Sequence, residues 1–146
     1  MLYAPLHRTG RMTPMPLYTL PPSIEDLSDM ADRALAAIPA RLRDRVRGVS
    51  ILVEDAADEE TLAEMGLESP WELTGLYRGV PFGLKGAEGV RHEPDMILLY
   101  REPILLEWIE TGEDLFRLVR NVLVHEVAHH FGFSDADIER LERDME

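Results

Sequence analysis

The sequence HEVAHHFGFSD occupies residues 125–135 and contains the residues that decide the fold. His125 and His129 are four residues apart, so on a helix they share one face, with Cβ atoms about 5–6 Å apart. Two imidazole nitrogens at that spacing can bind one zinc ion with Zn–N distances of about 2.0–2.1 Å. Glu126 is rotated by about 100° around the helix, from where it can reach a metal-bound water without binding the metal. The spacing predicts that His125 and His129 are metal ligands and that Glu126 is a general base.

The residues after His129 offer the third protein ligand that a catalytic zinc site needs beside an open position. Gly132 can adopt the left-handed conformation that ends a helix, which lets the chain fold back beneath the histidines. Asp135 lies six residues after His129 and carries a carboxylate. We predict that Asp135 is the third ligand, with Asp137, Glu142 or water as the alternatives.

The remaining histidines and two tyrosines have simpler interpretations. His130 points to another side of the helix and is predicted to pack or to support the site without binding metal. His7 and His92 lie in the N-terminal arm and in a glycine-rich loop, and both are expected to face solvent. The hydroxyls of Tyr77 and Tyr100 could stabilise an oxyanion, but tyrosines on strands are more often packed.

Composition and charge restrict the class of protein. The chain has 146 residues, 45% of them hydrophobic, and a net charge of −13, which fits one globular domain. The acidic balance argues against nucleic acid and anionic membranes as partners, because both attract Lys and Arg. The chain contains no cysteine, so a zinc ion would have to bind histidine and carboxylate. No signal-peptide core or membrane-spanning apolar run is visible, which predicts a cytoplasmic protein.

The pattern along the chain predicts an α+β domain. Prolines at positions 14, 16, 21 and 22 indicate an irregular arm over residues 1–22, and a single domain is expected over residues 23–146. Strands are predicted at 49–53, 71–77 and 95–101, and residues 54–69 are expected to be a loop with one weak helical turn. Helices are predicted at 24–38, 40–47, 103–108 and 113–131, and again after Ser134. This order favours a small sheet covered by helices.

The motif as a whole, H-E-x-x-H-x-x-G-x-x-D, resembles that of metzincin peptidases, with aspartate in place of the third histidine. More closely, the chain resembles the small bacterial proteins described as minimal zincins, or zincin-like metallopeptidases. The similarity extends from about Ile24 through VSILVED, GLYRGVP (75–81) and PDMILLYREPIL to the motif. Unlike metzincins, the chain has only eleven residues after Asp135, and Met145 is too close to the motif to form a methionine turn.

The resemblance implies a zinc-dependent peptidase with one zinc ion on His125, His129 and Asp135, Glu126 as general base, and a peptide or protein as substrate. By analogy with zincins, the substrate would lie along an exposed sheet edge, for which we expect the strand at 95–101. The alternative is a metal-stabilised binding or regulatory module without turnover. Peptide deformylase is excluded because it needs a cysteine ligand. A gluzincin ligand would have to fit into the seventeen residues after His129.

Overall fold

The computed structural model describes residues 19–79 and 95–145, and these ranges form the α+β fold that the sequence predicts. They contain three strands, namely β1 (Ser50–Glu54), β2 (Gly75–Arg78) and β3 (Met96–Tyr100). They also contain six α-helices, namely α1 (Ile24–Ala37), α2 (Ala40–Arg43), α3 (Glu59–Met65), α4 (Arg101–Thr111), α5 (Leu115–His130) and α6 (Asp135–Asp144). Short 3₁₀ turns follow α2 and precede β2.

The long helices form where local signals and an apolar stripe agree. Ser23 caps α1 through a capping box with Asp26, in which each side chain accepts a hydrogen bond from the other residue's backbone N–H. The helix α1 stops at Ile38, because the following proline favours an extended conformation there. The Asp114 side chain caps α5 by accepting a hydrogen bond from the Arg117 N–H. Helix α5 packs against both α1 and the sheet, and its buried residues are Leu115, Leu118, Val119, Val122, Leu123, Val124, Val127 and Ala128.

The three strands form a mixed sheet in the order β1-β3-β2. Strand β3 pairs in parallel with β1 and antiparallel with β2, so it is the central strand. Ile97 and Leu99 face the core formed with α1 and α5, whereas Leu98 and Tyr100 face a smaller core on the other side of the sheet. The predicted alternation of β3 between two faces is therefore confirmed.

The expectation that the strand at 95–101 is an exposed edge is wrong. Both sides of β3 are hydrogen-bonded to a neighbouring strand, which leaves no backbone groups for an added peptide. The physical reason is visible in its composition, because the residues Met96–Tyr100 are all apolar or aromatic and four of the five are buried. Such a continuous apolar run is typical of a strand that is covered on both faces. The strand beside α5 that lies at the edge of the sheet is β2.

Three predicted boundaries also need correction. The predicted strand 71–77 begins only at Gly75, because Pro70–Glu72 form a 3₁₀ turn that Ser69 caps. The predicted loop 54–69 contains the two-turn helix α3, which Asp58 caps and which Gly66 ends at a φ of +70°. Helix α4 begins before Pro103 and continues past the predicted end. Proline is tolerated at this position because the first backbone N–H groups of a helix have no partner within it.

Most of the predicted N-terminal arm lies outside the described residues. The part inside them, residues 19–22, forms neither helix nor strand. None of the helices in residues 19–79 and 95–145 has the length and apolarity needed to cross a membrane.

Candidate metal centre

The C-terminal end of α5 turns the chain back toward its own histidines. Gly132 has a φ of +84°, the left-handed conformation that the sequence predicts. The Gly132 N–H donates to the carbonyl of His129 at 3.0 Å, and the Phe133 N–H donates to the carbonyl of Ala128 at 2.9 Å. These two hydrogen bonds form a Schellman motif, which ends the helix and satisfies its last carbonyl groups. As a result, α6 starts at Asp135 directly beside the last turn of α5.

This turn brings three potential metal ligands together. The ligand atoms of His125, His129 and Asp135 all lie within 4.8 Å of one another. His129 Nε2 and Asp135 Oδ1 are 2.9 Å apart, and the rings of His125 and His129 have centroids 4.5 Å apart. A tetrahedral zinc ion with bonds of 2.0–2.1 Å separates its ligand atoms by about 3.3 Å. The donor set and its spacing therefore fit zinc after small side-chain movements, and the binding itself stays a prediction.

The two carboxylates that were alternatives for the third ligand are not among the three converging donors. Asp137 Oδ2 accepts hydrogen bonds from the backbone N–H and the hydroxyl of Ser134, and Oδ1 lies 2.6 Å from a guanidinium nitrogen of Arg140, so both carboxylate oxygens have protein partners. Glu142 is on α6 and lines the same cleft as His125 and Glu126. Within residues 19–79 and 95–145, neither carboxylate belongs to the cluster of donors around His125.

His125 and Glu126 are both affected by burial. Desolvation lowers the pKa of His125, and the charge of His129 lowers it further, which favours the neutral imidazole that binds metals. Desolvation raises the pKa of Glu126 to about 7, although the charge of His129 and a hydrogen bond from the Tyr77 backbone N–H act in the opposite direction. A carboxyl group with a pKa near neutrality can both accept and release a proton at physiological pH.

The structure gives packing roles to the other aromatic candidates. His130 stacks on Tyr77 with ring centroids 3.8 Å apart, which confirms that it packs away from the three donors. The Tyr77 hydroxyl donates to Asp95 at 2.8 Å, and Tyr100 is buried on the opposite face of the sheet. Neither hydroxyl belongs to the cluster of three donors. His7 and His92 lie outside the described residues.

The comparison with known families agrees with this geometry. The family model described as "Zincin-like metallopeptidase" matches residues 46–145, which are 100 of the 146 residues. The chain belongs to the zincin-like metallopeptidase family. No curated protein sequence matches it significantly. A conserved hypothetical protein from Thermo thermophilus is similar in structure at 25% sequence identity, with 75% of this chain and 94% of that chain covered and a TM-score of 0.48.

Membership of this family associates the chain with zinc and with peptide hydrolysis at the level of the family. Its three-donor cluster has the composition of a catalytic zinc site, in which two histidines and a carboxylate leave one position open. The side chains of His129 and Asp135 are 49% and 82% exposed, so this side of the donor cluster is accessible to solvent. Met145 follows α6 and packs against the main core, and it is not part of the donor cluster.

A cleft of about 330 Å³ adjoins the candidate metal centre of this zincin-like protein. Most of its lining was not identified from the sequence, and it consists of Thr74, Glu107, Glu113, Leu118, Asn121, Val122, His125, Glu126 and Glu142. Helical spacing could have identified two of these residues, because Asn121 and Leu118 precede His125 by four and seven positions on the same face. Residues from α4 and from the segment that enters β2 carry no such local signal, since only the tertiary fold brings them to the cleft.

Proposed function

We propose that this zincin-like protein is a zinc-dependent metallopeptidase that hydrolyses peptide bonds with Glu126 as general base. The observation that carries the proposal is the convergence of His125, His129 and Asp135 beside Glu126 at the mouth of a cleft. A histidine pair on a surface helix has no need of a carboxylate that folds back within 2.9 Å of it, or of a partly buried glutamate next to it.

Each of the four side chains has a distinct role in this proposal. His125, His129 and Asp135 would hold one zinc ion. When bound, zinc supplies a Lewis acid that lowers the pKa of a water molecule and polarises the carbonyl group of a peptide. Glu126 follows His125 on α5 and is not one of the three donors that converge. It therefore remains available to take a proton from the attacking water and to pass it to the leaving amine.

The substrate that fits this site is an extended peptide. Strand β2 is the edge strand next to α5, and the cleft is lined by Thr74, which precedes β2, and by His125 and Glu126. An extended chain can add to a sheet edge through backbone hydrogen bonds, so β2 takes the place that was expected for β3. The cleft also contains the carboxylates of Glu107, Glu113 and Glu142, which would attract basic side chains of a substrate more than acidic ones.

The test combines metal analysis with hydrolysis of a mixed peptide library. The wild-type protein should bind one equivalent of zinc and cleave peptides in a chelator-sensitive manner. Glu126→Gln should retain zinc and lose at least about 100-fold in kcat, because general-base catalysis contributes about 10²–10⁴-fold. Glu139→Gln removes an exposed glutamate from α6 and serves as the matched control with unchanged activity.

Equal activity of the wild type and Glu126→Gln would contradict the assigned role of Glu126. Zinc binding with thermal stabilisation, but with no cleavage of any peptide in the library, would favour the alternative of a metal-stabilised binding module. Activity that resists chelators would remove zinc from the proposal altogether.

A further inference from the structure

The strand β2 lies unusually close to the active-site helix at Gly75. A Cβ atom built on Gly75 would be 2.8 Å from the Val122 Cγ1 atom, 3.3 Å from the Leu98 carbonyl oxygen and 3.4 Å from the Glu126 Cγ atom. The first distance is shorter than real Cβ contacts, so a side chain at position 75 requires either the Val122 side chain or the strand itself to move. A glycine within a strand is typical of such a close approach of backbone to a neighbouring element.

The pairing of β2 with β3 directs two of its residues toward the outer edge of the sheet. The Tyr100 N–H donates to the Thr74 carbonyl at 2.9 Å, so these two residues form a hydrogen-bonded pair. In an antiparallel ladder such pairs alternate with pairs that are not hydrogen-bonded, and Gly75 and Tyr77 belong to the second kind. Their backbone groups therefore point away from β3, and the Glu126 side chain lies beside this part of the strand, with its Cγ atom 3.4 Å from a Cβ built on Gly75.

The side chain of Tyr77 fixes this part of β2 at two further points. Its hydroxyl donates to the buried Asp95 at 2.8 Å, and its ring stacks on His130 of α5 at 3.8 Å. One contact ties Tyr77 to the residue just before β3, and the other ties it to the same helix that carries Glu126. The backbone N–H of Tyr77 is consequently held at a defined position relative to that helix.

We propose that β2 positions the general base, with Gly75 as the residue that permits the close approach and Tyr77 as the residue whose backbone N–H orients the Glu126 carboxylate. Both are positioning residues, because they act through Glu126 and do not touch the reacting atoms in this scheme. The catalytic part of the inference rests on the proposed peptidase function. The structural part, which is the link between the Tyr77 amide and the Glu126 side chain, can be tested without any turnover.

The experiment compares Gly75→Ala, Val122→Ala and the double variant in the full chain supplied with one equivalent of zinc chloride. The Val122→Ala change removes the methyl group that the new Cβ would meet, so the double variant should restore the close approach. Hydrogen exchange of the Tyr77 amide, measured by NMR, reports the proposed bond to Glu126. The Leu76 amide is the internal control, since Leu76 forms a hydrogen-bonded pair with Leu98 within the sheet.

We expect Gly75→Ala to accelerate hydrogen exchange of the Tyr77 amide at least tenfold and to leave the exchange rate of the Leu76 amide within twofold of the wild type. The same variant should lower kcat about tenfold at unchanged KM. Glu126→Ala should accelerate exchange of the same amide alone. The double variant should return both the exchange rate and kcat to within about threefold of Val122→Ala.

Two results would overturn the proposal. If the Tyr77 and Leu76 amides accelerate together, Gly75 merely stabilises the sheet. If the double variant is worse than either single variant, steric displacement of β2 is not the cause. A wild-type protein that cleaves no peptide refutes the proposed function, whereas the exchange measurements still decide whether β2 holds Glu126.

Discussion

Replacing Glu126 by glutamine should stabilise the metal-free protein at neutral and alkaline pH. Burial raises the pKa of Glu126 from 4.5 to about 7, so the folded protein binds this proton more tightly than the unfolded chain does. The stability contributed by the protonated group is fully present below pH 4.5 and is lost as the pH rises through about 7. The difference between these two pKa values corresponds to about 3 kcal/mol, at about 1.4 kcal/mol per pH unit. Glutamine resembles the protonated acid and avoids this loss.

The assay is urea unfolding of chelator-treated wild type and Glu126→Gln between about pH 4.5 and pH 8. The free energies of unfolding should agree at about pH 4.5, and the variant should be more stable by about 2–3 kcal/mol at pH 8. Glu139→Gln removes an exposed carboxylate and controls for the loss of one negative charge from a protein of net charge −13. If the wild type and Glu126→Gln have parallel stability curves over the whole pH range, burial does not disfavour the Glu126 carboxylate and the reasoning is refuted.

Four further predictions concern the turn, the ligands and the charge. Asp135→Asn should weaken zinc binding at least tenfold in a competitive chelator titration, whereas Asp137→Asn, a matched change outside the donor cluster, should leave it within threefold. Equal zinc affinities of the two variants would remove Asp135 from the ligand set. Gly132→Ala should destabilise the protein by about 1 kcal/mol in urea unfolding because its φ is +84°, and an unchanged midpoint would contradict the left-handed turn. Zinc at a hundredfold excess over its Kd should raise the free energy of unfolding of the wild type by about 2.7 kcal/mol. A similar increase in the free energy of unfolding of His129→Ala would show that zinc binds elsewhere. Basic peptides should be cleaved faster than acidic ones at low ionic strength, with the preference shrinking as salt is added, and a ratio that does not respond to salt would limit the role of the charge to solubility.

The long helices were predictable because their signals are local. The capping residues Ser23 and Ser134 each bond to an acid three residues later, and the apolar positions of α5 recur at helical spacing. The alternation of residues along β3 was predictable for the same reason. The order of the strands in the sheet could not be predicted, because local patterns do not show which distant residues pair. The buried run Met96–Tyr100 nevertheless carried a signal for a central strand, which the analogy with zincin edge strands overrode.

The metal site was also predictable in part: its ligands follow from local signals, whereas the environment of Glu126 does not. Four-residue spacing on one helix places His125 and His129 together whatever surrounds them, and Gly132 favours the turn that returns Asp135. The environment of Glu126 depends on β2, whose Gly75 and Tyr77 are far from it in sequence.

The sequence by itself determined which side chains could bind zinc, because helical periodicity and the conformational freedom of one glycine act over a few residues. Only the tertiary structure decided which strand borders the site and how deeply Glu126 is buried. Those properties arise from the packing of α5 against β2, and packing between distant segments is set by the fold as a whole.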